Sequence, residues 1–147
     1  MVLTTYALGF AIATWTAIVD LRTHRLPNHL VTAIGAVGAV GLAVASLAGG
    51  ASNPLHLAAG VAAFAGPWFV LNLVSPASVG FGDVKFACAL GLYLGWIDPA
   101  LGFVASVATV VLAWPQSVLQ VLSRSSPVIP LGPYLLGGAA VAVAIGA

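Results

Sequence analysis

Residues able to carry charge are so sparse in this chain that they divide it into six stretches free of them. These are Val2 to Val19, Leu30 to Leu55, Leu57 to Gly82, Phe86 to Ile97, Pro99 to Ser123 and Ser125 to Ala147. Five are long enough to span a hydrocarbon core about 30 Å thick, and the fourth is short. Turn chemistry separates them: Leu26-Pro27-Asn28, Gly49 to Pro54, Ser75 to Ser78, Asp98-Pro99 and Ser125-Ser126-Pro127. The pattern predicts an all-α chain of six transmembrane helices with no β-structure.

Composition narrows the function classes. With 61% hydrophobic and 5% charged residues among 147, and a mean hydropathy of +1.13, the chain lacks the charge a soluble surface needs. It also lacks the Lys/Arg clusters of a nucleic-acid binder and the polarity of a disordered segment. At about 1.5 Å per residue the chain could cross about seven times, or about six once loops are subtracted. Residues 1–147 therefore read as a single integral membrane domain. The one cysteine, Cys88, lies in an apolar run and supports neither an intrachain disulfide nor a cysteine zinc site; it reads as a packing residue. The N-terminus has no Lys or Arg ahead of its apolar stretch and does not read as a cleavable signal.

Arg22 and Arg25 fall between the first and second helices, Lys85 at the start of the fourth, and Arg124 between the fifth and sixth. Six crossings put all four on one side, which the positive-inside rule makes cytoplasmic, with both termini outside. If Trp96 and Asp98 anchor the outer end of helix four, Asp83 lies about 22 Å further in, short of the cytoplasmic boundary. Asp20, about 28 Å along helix one, sits near the same depth. Two of the three carboxylates thus converge just inside one face.

An aspartate inside a membrane helix costs about 2.5 to 3.5 kcal/mol on insertion scales and calls for a reason. Asp83 follows Gly80-Phe81-Gly82 and could cap helix four, where the dipole favours an anion; Asp20, near the C-terminal end of helix one, opposes the dipole. Stepping back from Asp20 by three or four meets Ala17, Thr16, Ala13 and Gly9, and stepping on from Asp83 meets Ala87, Gly91 and Gly95. Both aspartates therefore lie on the small-residue faces by which membrane helices approach one another. Two such carboxylates near water can share a proton, the ionised member activating a water and the protonated one polarising a peptide carbonyl. The dipole makes Asp83 the expected ionised member.

Three segments carry a resemblance: Asp20 to Asn28, with its Asp-x6-Pro-Asn pattern; Gly80-Phe81-Gly82-Asp83-Val84-Lys85 opening a membrane helix; and Val128 to Tyr134, with Ile129-Pro130-Leu131-Gly132-Pro133. In order and spacing the chain resembles the type IV prepilin peptidases. The resemblance implies a six-helix aspartic peptidase of the bacterial inner membrane that removes the basic leader of prepilins or pseudopilins at the cytoplasmic face. It implies Asp20 and Asp83 as the catalytic pair, no cofactor, and membrane lipid and a pilus-assembly machinery as further partners. Larger members add a cytoplasmic segment with paired Cys-x-x-Cys motifs, associated with methylation of the new N-terminus. This chain resembles the short, peptidase-only form serving Flp/Tad-type pili, which implies no methyltransferase activity.

Around the pair, Gly80 and Gly82 are expected to give either close backbone approach or positive φ. Lys85 is expected to snorkel to headgroups or tune the site. Pro27-Asn28 is expected to end the first loop and cap helix two, with a substrate role as the alternative. His24 and His29 read as a cationic collar rather than metal ligands, and Asp98 as a turn residue. Two other functions compete: an intramembrane protease of the presenilin type, in which Gly-x-Gly-Asp also occurs, and a small proton or cation transporter subunit using Asp20 and Asp83. Against the first, Asp20 follows Val19 at a loop edge instead of a tyrosine in mid-helix. Against the second, the carboxylates lie toward one face and no inverted repeat is visible.

Overall fold

The computed structural model describes residues 1–49, 53–76, 78–123 and 129–146. Among the described residues six helices follow one another: α1 (Val2–Thr23), α2 (Asn28–Leu47), α3 (Pro54–Val74), α4 (Phe81–Ile97), α5 (Ala100–Ser123) and α6 (Gly132–Gly146). No strand occurs among the described residues. Four of the six, α1, α2, α3 and α5, are long and apolar enough to cross a membrane. The other two are shorter. α4 has 17 residues, as its short charge-free stretch foretold. α6 has 15, although its stretch was expected to be of spanning length. At helical rise these reach about 26 and about 22 Å. The orientation argument used Arg124, which lies outside the described residues; Arg22, Arg25 and Lys85 remain within them.

Local chemistry explains the helix ends. α1 stops because His24 turns into the left-handed region at φ 52°, its N–H donating to the Asp20 carbonyl oxygen at 2.8 Å. A non-glycine residue held there stores about 1 kcal/mol or more of strain. α3 begins with the Asn53 side chain accepting from the Leu55 N–H at 3.0 Å and Pro54 in the first turn. α4 ends at Asp98, whose Oδ1 accepts from the Ala100 N–H at 2.7 Å, the turn role expected of it. α2 starts at the Pro27-Asn28 pair. Its N-cap is Pro27, at φ −66° and ψ 120°, and Asn28 is already helical. A proline suits that place because it lends no N–H and its fixed φ leads into the helix.

α4 is the axis of the bundle and packs against α2, α3, α5 and α6. Its buried residues include Val84, Phe86, Ala87, Leu90, Tyr93 and Leu94, as expected of a helix that is apolar on all sides. Glycines let its neighbours reach it. A Cβ at Gly91 would lie 2.7 Å from Val61 Cα, and one at Gly95 2.5 Å from the His56 carbonyl oxygen, so α3 and α4 meet backbone to backbone. On the opposite side the fully buried Tyr93 donates to the Ile34 carbonyl oxygen at 2.9 Å, and its ring fills the space over Gly9 and Gly38. α1, α2 and α4 are thereby locked together. The outer surface is the reverse: large apolar side chains such as Leu3, Leu47, Leu119 and Val121 stand exposed, as lipid contact requires.

Candidate active site

The α1–α2 connection, the α3–α4 connection and the segment entering α6 gather at one end of the bundle around a cavity of about 490 Å³. Asp20 and Asp83 both line it, brought there by different helices.

Asp20 sits in the last turn of α1 and is 4% exposed. The face it shares with Gly9, Ala13, Thr16 and Ala17 is buried throughout, as the three- and four-residue spacing predicted. Its Oδ2 accepts from the Gly132 N–H at 3.0 Å, across 112 residues of sequence. Gly132 opens α6, and the first N–H groups of a helix have no partner within it. Here one such donor is spent on a buried carboxylate. There is no room for a larger residue, since a Cβ at Gly132 would lie 2.8 Å from Asp20 Oδ2.

Asp83 is held differently. The helix begins at Phe81 rather than at Asp83, with Gly80 as N-cap and Asp83 the third helical residue. Gly80 N–H donates to Asp83 Oδ2 at 3.0 Å, and Asp83 N–H donates to the Gly80 carbonyl oxygen at 3.0 Å. This reciprocal pair is the backbone form of a capping box. Asp83 is half-buried, with the N-terminal end of the α4 dipole behind it. The face running inward from it, Ala87, Gly91 and Gly95, is buried as expected.

The remaining predicted residues sort out around this pair. Gly80, Gly82, Lys85 and Asn28 line the cavity, while Pro27 stands beside it as the cap of α2. Neither Gly80, at φ −71°, nor Gly82 adopts positive φ, so of the two expected roles only close approach survives. A Cβ at Gly82 would touch Leu26 Cβ at 3.4 Å, and one at Gly80 would lie 3.2 Å from Asp83 Oδ2. Positive φ falls instead on His24, which also lines the cavity. Lys85 Nζ donates to Asn28 Oδ1 at 3.4 Å and lies 5.1 Å from the centre of the Phe81 ring. It therefore ties the start of α2 to the start of α4. Among the described residues no group of three or more His, Cys, Asp or Glu side chains is placed to hold a metal ion.

Sequence reasoning gave no role to Gly132, nor to Ile129, Pro130 and Leu131, which wall the cavity beside Asp20. The available signal was a Gly-Pro pair opening a helix, which leaves an N–H free for an anion.

Comparison with known proteins adds a family. A family model described as the type IV leader peptidase family matches residues 7–115. That range takes in Asp20, Pro27, Asn28 and Gly80 to Lys85, and ends before the segment that enters α6. No curated protein and no solved structure matches the chain. The match covers most of the sequence, and its two polar motifs meet in one cavity at one end of an apolar bundle; the chain belongs to the type IV leader peptidase family.

Proposed function

We propose that this multi-pass membrane peptidase is an aspartic endopeptidase in which Asp20 and Asp83 activate one water between them. The observation that carries the reading is that two carboxylates on separate helices open onto the same cavity, each fixed by a backbone N–H. Two adjacent anions repel, so the pair holds one proton in its working state. The ionised member takes a proton from water as the water oxygen attacks the scissile carbonyl carbon. The protonated member gives its proton to the carbonyl oxygen. Collapse of the tetrahedral intermediate returns a proton to the amide nitrogen and breaks the C–N bond. The position of Asp83 at the start of α4 favours it as the anion.

The substrate class follows from the family: a prepilin or pseudopilin whose basic leader is removed. The reading includes a single domain over residues 1–147 and six crossings of a bacterial inner membrane, with both termini outside and the cavity at the cytoplasmic face. It places lipid and a pilus-assembly machinery around the bundle and is confined to peptide cleavage, with no methyl transfer. The described basic residues fall at this end of the bundle, Arg22 in the last turn of α1, Arg25 in the α1–α2 connection and Lys85 in the second turn of α4, in keeping with a cytoplasmic end. α4 and α6 complete the crossings only if the bilayer thins toward them, at a modest cost per ångström. Family membership favours a leader peptidase over both the presenilin-type protease and the transporter subunit. A cavity at one end of the bundle also suits cleavage at a membrane face better than passage through the midplane.

The test is cleavage of a prepilin with its leader by the purified protein in liposomes, comparing the wild type with Asp20→Asn and Asp83→Asn. Loss of cleavage in both, with folding retained, is expected. Cleavage surviving either change refutes the dyad. Ion flux abolished by the same changes, without any proteolysis, establishes the transporter instead.

A further inference from the structure

α1 and α2 end in the same way with different residues. Just after each, one residue turns to positive φ: Gly49 at 90° after α2 and His24 at 52° after α1. Glycine is the ordinary choice there, because it has no Cβ to strain. Among the described residues His24 is the only non-glycine at positive φ. Packing does not offset its strain. The His24 side chain is exposed, and among the described residues it makes no hydrogen bond. A strained residue held at a site points to a use for its side chain.

The surroundings of the imidazole say what that use is. His24 follows Asp20 by four residues, with its N–H bonded to the Asp20 carbonyl oxygen at 2.8 Å. Its side chain lines the aspartate cavity and interacts electrostatically with Asp20. The other charged groups on that wall are Asp83 and Lys85 from α4 and Arg25 from the α1–α2 connection. Asn28 at the start of α2 and the segment entering α6 add no charge. Of the three side chains here able to carry positive charge, only the imidazole is of the type that changes charge between about pH 5 and 8.

A cation near a carboxylate favours its ionised form. Toward acid pH the aspartate pair fails by taking up a second proton, and an imidazolium resists that uptake. Toward alkaline pH the pair fails by losing its one proton, and a cation would hasten the loss. A histidine is charged at the first end and neutral at the second, a combination that glycine, lysine and arginine do not offer. We propose that His24 is a positioning residue acting through the aspartates, its charge holding the pair at a single proton toward acid pH and vanishing before it can strip that proton toward alkaline pH. The proposal rests on Asp20 and Asp83 being the catalytic pair.

The experiment measures kcat/KM for prepilin cleavage by the full chain in detergent micelles from about pH 4 to about pH 10, comparing the wild type with His24→Gly, His24→Asn and His24→Arg. Glycine and asparagine both accept left-handed backbone and remove the charge. Each is expected to move the acid limb to higher pH by about half a unit or more, the effect of one charge about 6 Å away in water, and to leave the alkaline limb in place. His24→Arg makes the charge permanent. It is expected to restore the acid limb and draw the alkaline limb to lower pH by a similar amount. The position of a limb is independent of how much of a preparation is folded. His24→Gly also removes the strained Cβ and is expected to melt no lower than the wild type. An acid limb unmoved in both uncharged variants overturns the proposal, as does an alkaline limb unmoved in His24→Arg. A rate changed equally at every pH is an effect on leader binding and overturns it too. A lower melting temperature in His24→Gly gives the side chain a packing role instead and has the same consequence. Cleavage by Asp20→Asn or Asp83→Asn refutes the catalytic pair, whatever the limbs do; unmoved limbs with both of these variants inactive refute the role of His24 alone.

Discussion

The two carboxylates face one cavity but are held by opposite means. Asp83 is positioned by its own neighbourhood, through a reciprocal pair of bonds with Gly80 three residues earlier. Asp20 is positioned by the finished fold, through the N–H of a glycine 112 residues away that arrives only when α6 packs against α1. One corner of the site is therefore built as soon as α4 forms, and the other exists only in the assembled bundle. Damage far from α4 should consequently reach catalysis through Asp20 first.

The largest expected effects do not distinguish the corners. Asp20→Asn and Asp83→Asn should each lower kcat about a thousandfold, within the range for loss of a general acid or base, while circular dichroism and the melting temperature hold. A residual rate differing widely between the two would show that they are not partners in one step.

Glycine substitutions should separate the corners. Gly132→Ala forces a Cβ to 2.8 Å from Asp20 Oδ2. It is expected to cost about 1 to 3 kcal/mol of stability and about ten- to a hundredfold in kcat/KM. Gly82→Ala makes only an ordinary contact with Leu26 and is expected to stay within about threefold of the wild type. Thermal melts and cleavage rates measured on both variants would decide the point. Equal sensitivity would remove the contrast between a local and an assembled corner.

The pH profile sharpens the comparison further. With one proton shared, activity requires exactly one carboxylate to be ionised; below the lower apparent pKa no base remains, and above the upper no acid remains. A bell-shaped kcat/KM profile is expected, and a monotonic rise from about pH 4 to about pH 10 would count against sharing. The smallest effect belongs to the rim. Lys85→Met should lose the bond to Asn28 at a cost of about 0.2 to 1 kcal/mol, and Asn28→Ala should add little to it in a double-mutant cycle.

How legible each corner was in the sequence follows from the same contrast. The sequence put Asp83 at the start of helix four as its cap, and the structure keeps it in the cap but as the third helical residue, with Gly80 at the N-cap. The inward face of α1 was also legible, because Gly9, Ala13, Thr16 and Ala17 repeat at helical spacing and all are buried. Gly132 was not, since nothing in the periodicity of α6 says which helix its N-terminus will meet. At the Pro27-Asn28 pair the N-cap is Pro27, and the Asn28 side-chain oxygen meets Lys85 across 57 residues, a contact that no local pattern shows. The charge pattern indicated membrane helices but not their final length, and α6 proves shorter than its charge-free stretch.

The glycine seam on α4 has one more consequence. Gly91 and Gly95 must face α3 at backbone distance, while Asp83 on the same helix must face the cavity. Adding or removing one residue between them would turn one end against the other by about 100° and shift it by about 1.5 Å. Both demands could not then be met. The stretch from Asp83 to Gly95 works as a ruler of fixed count that no change in length can leave intact.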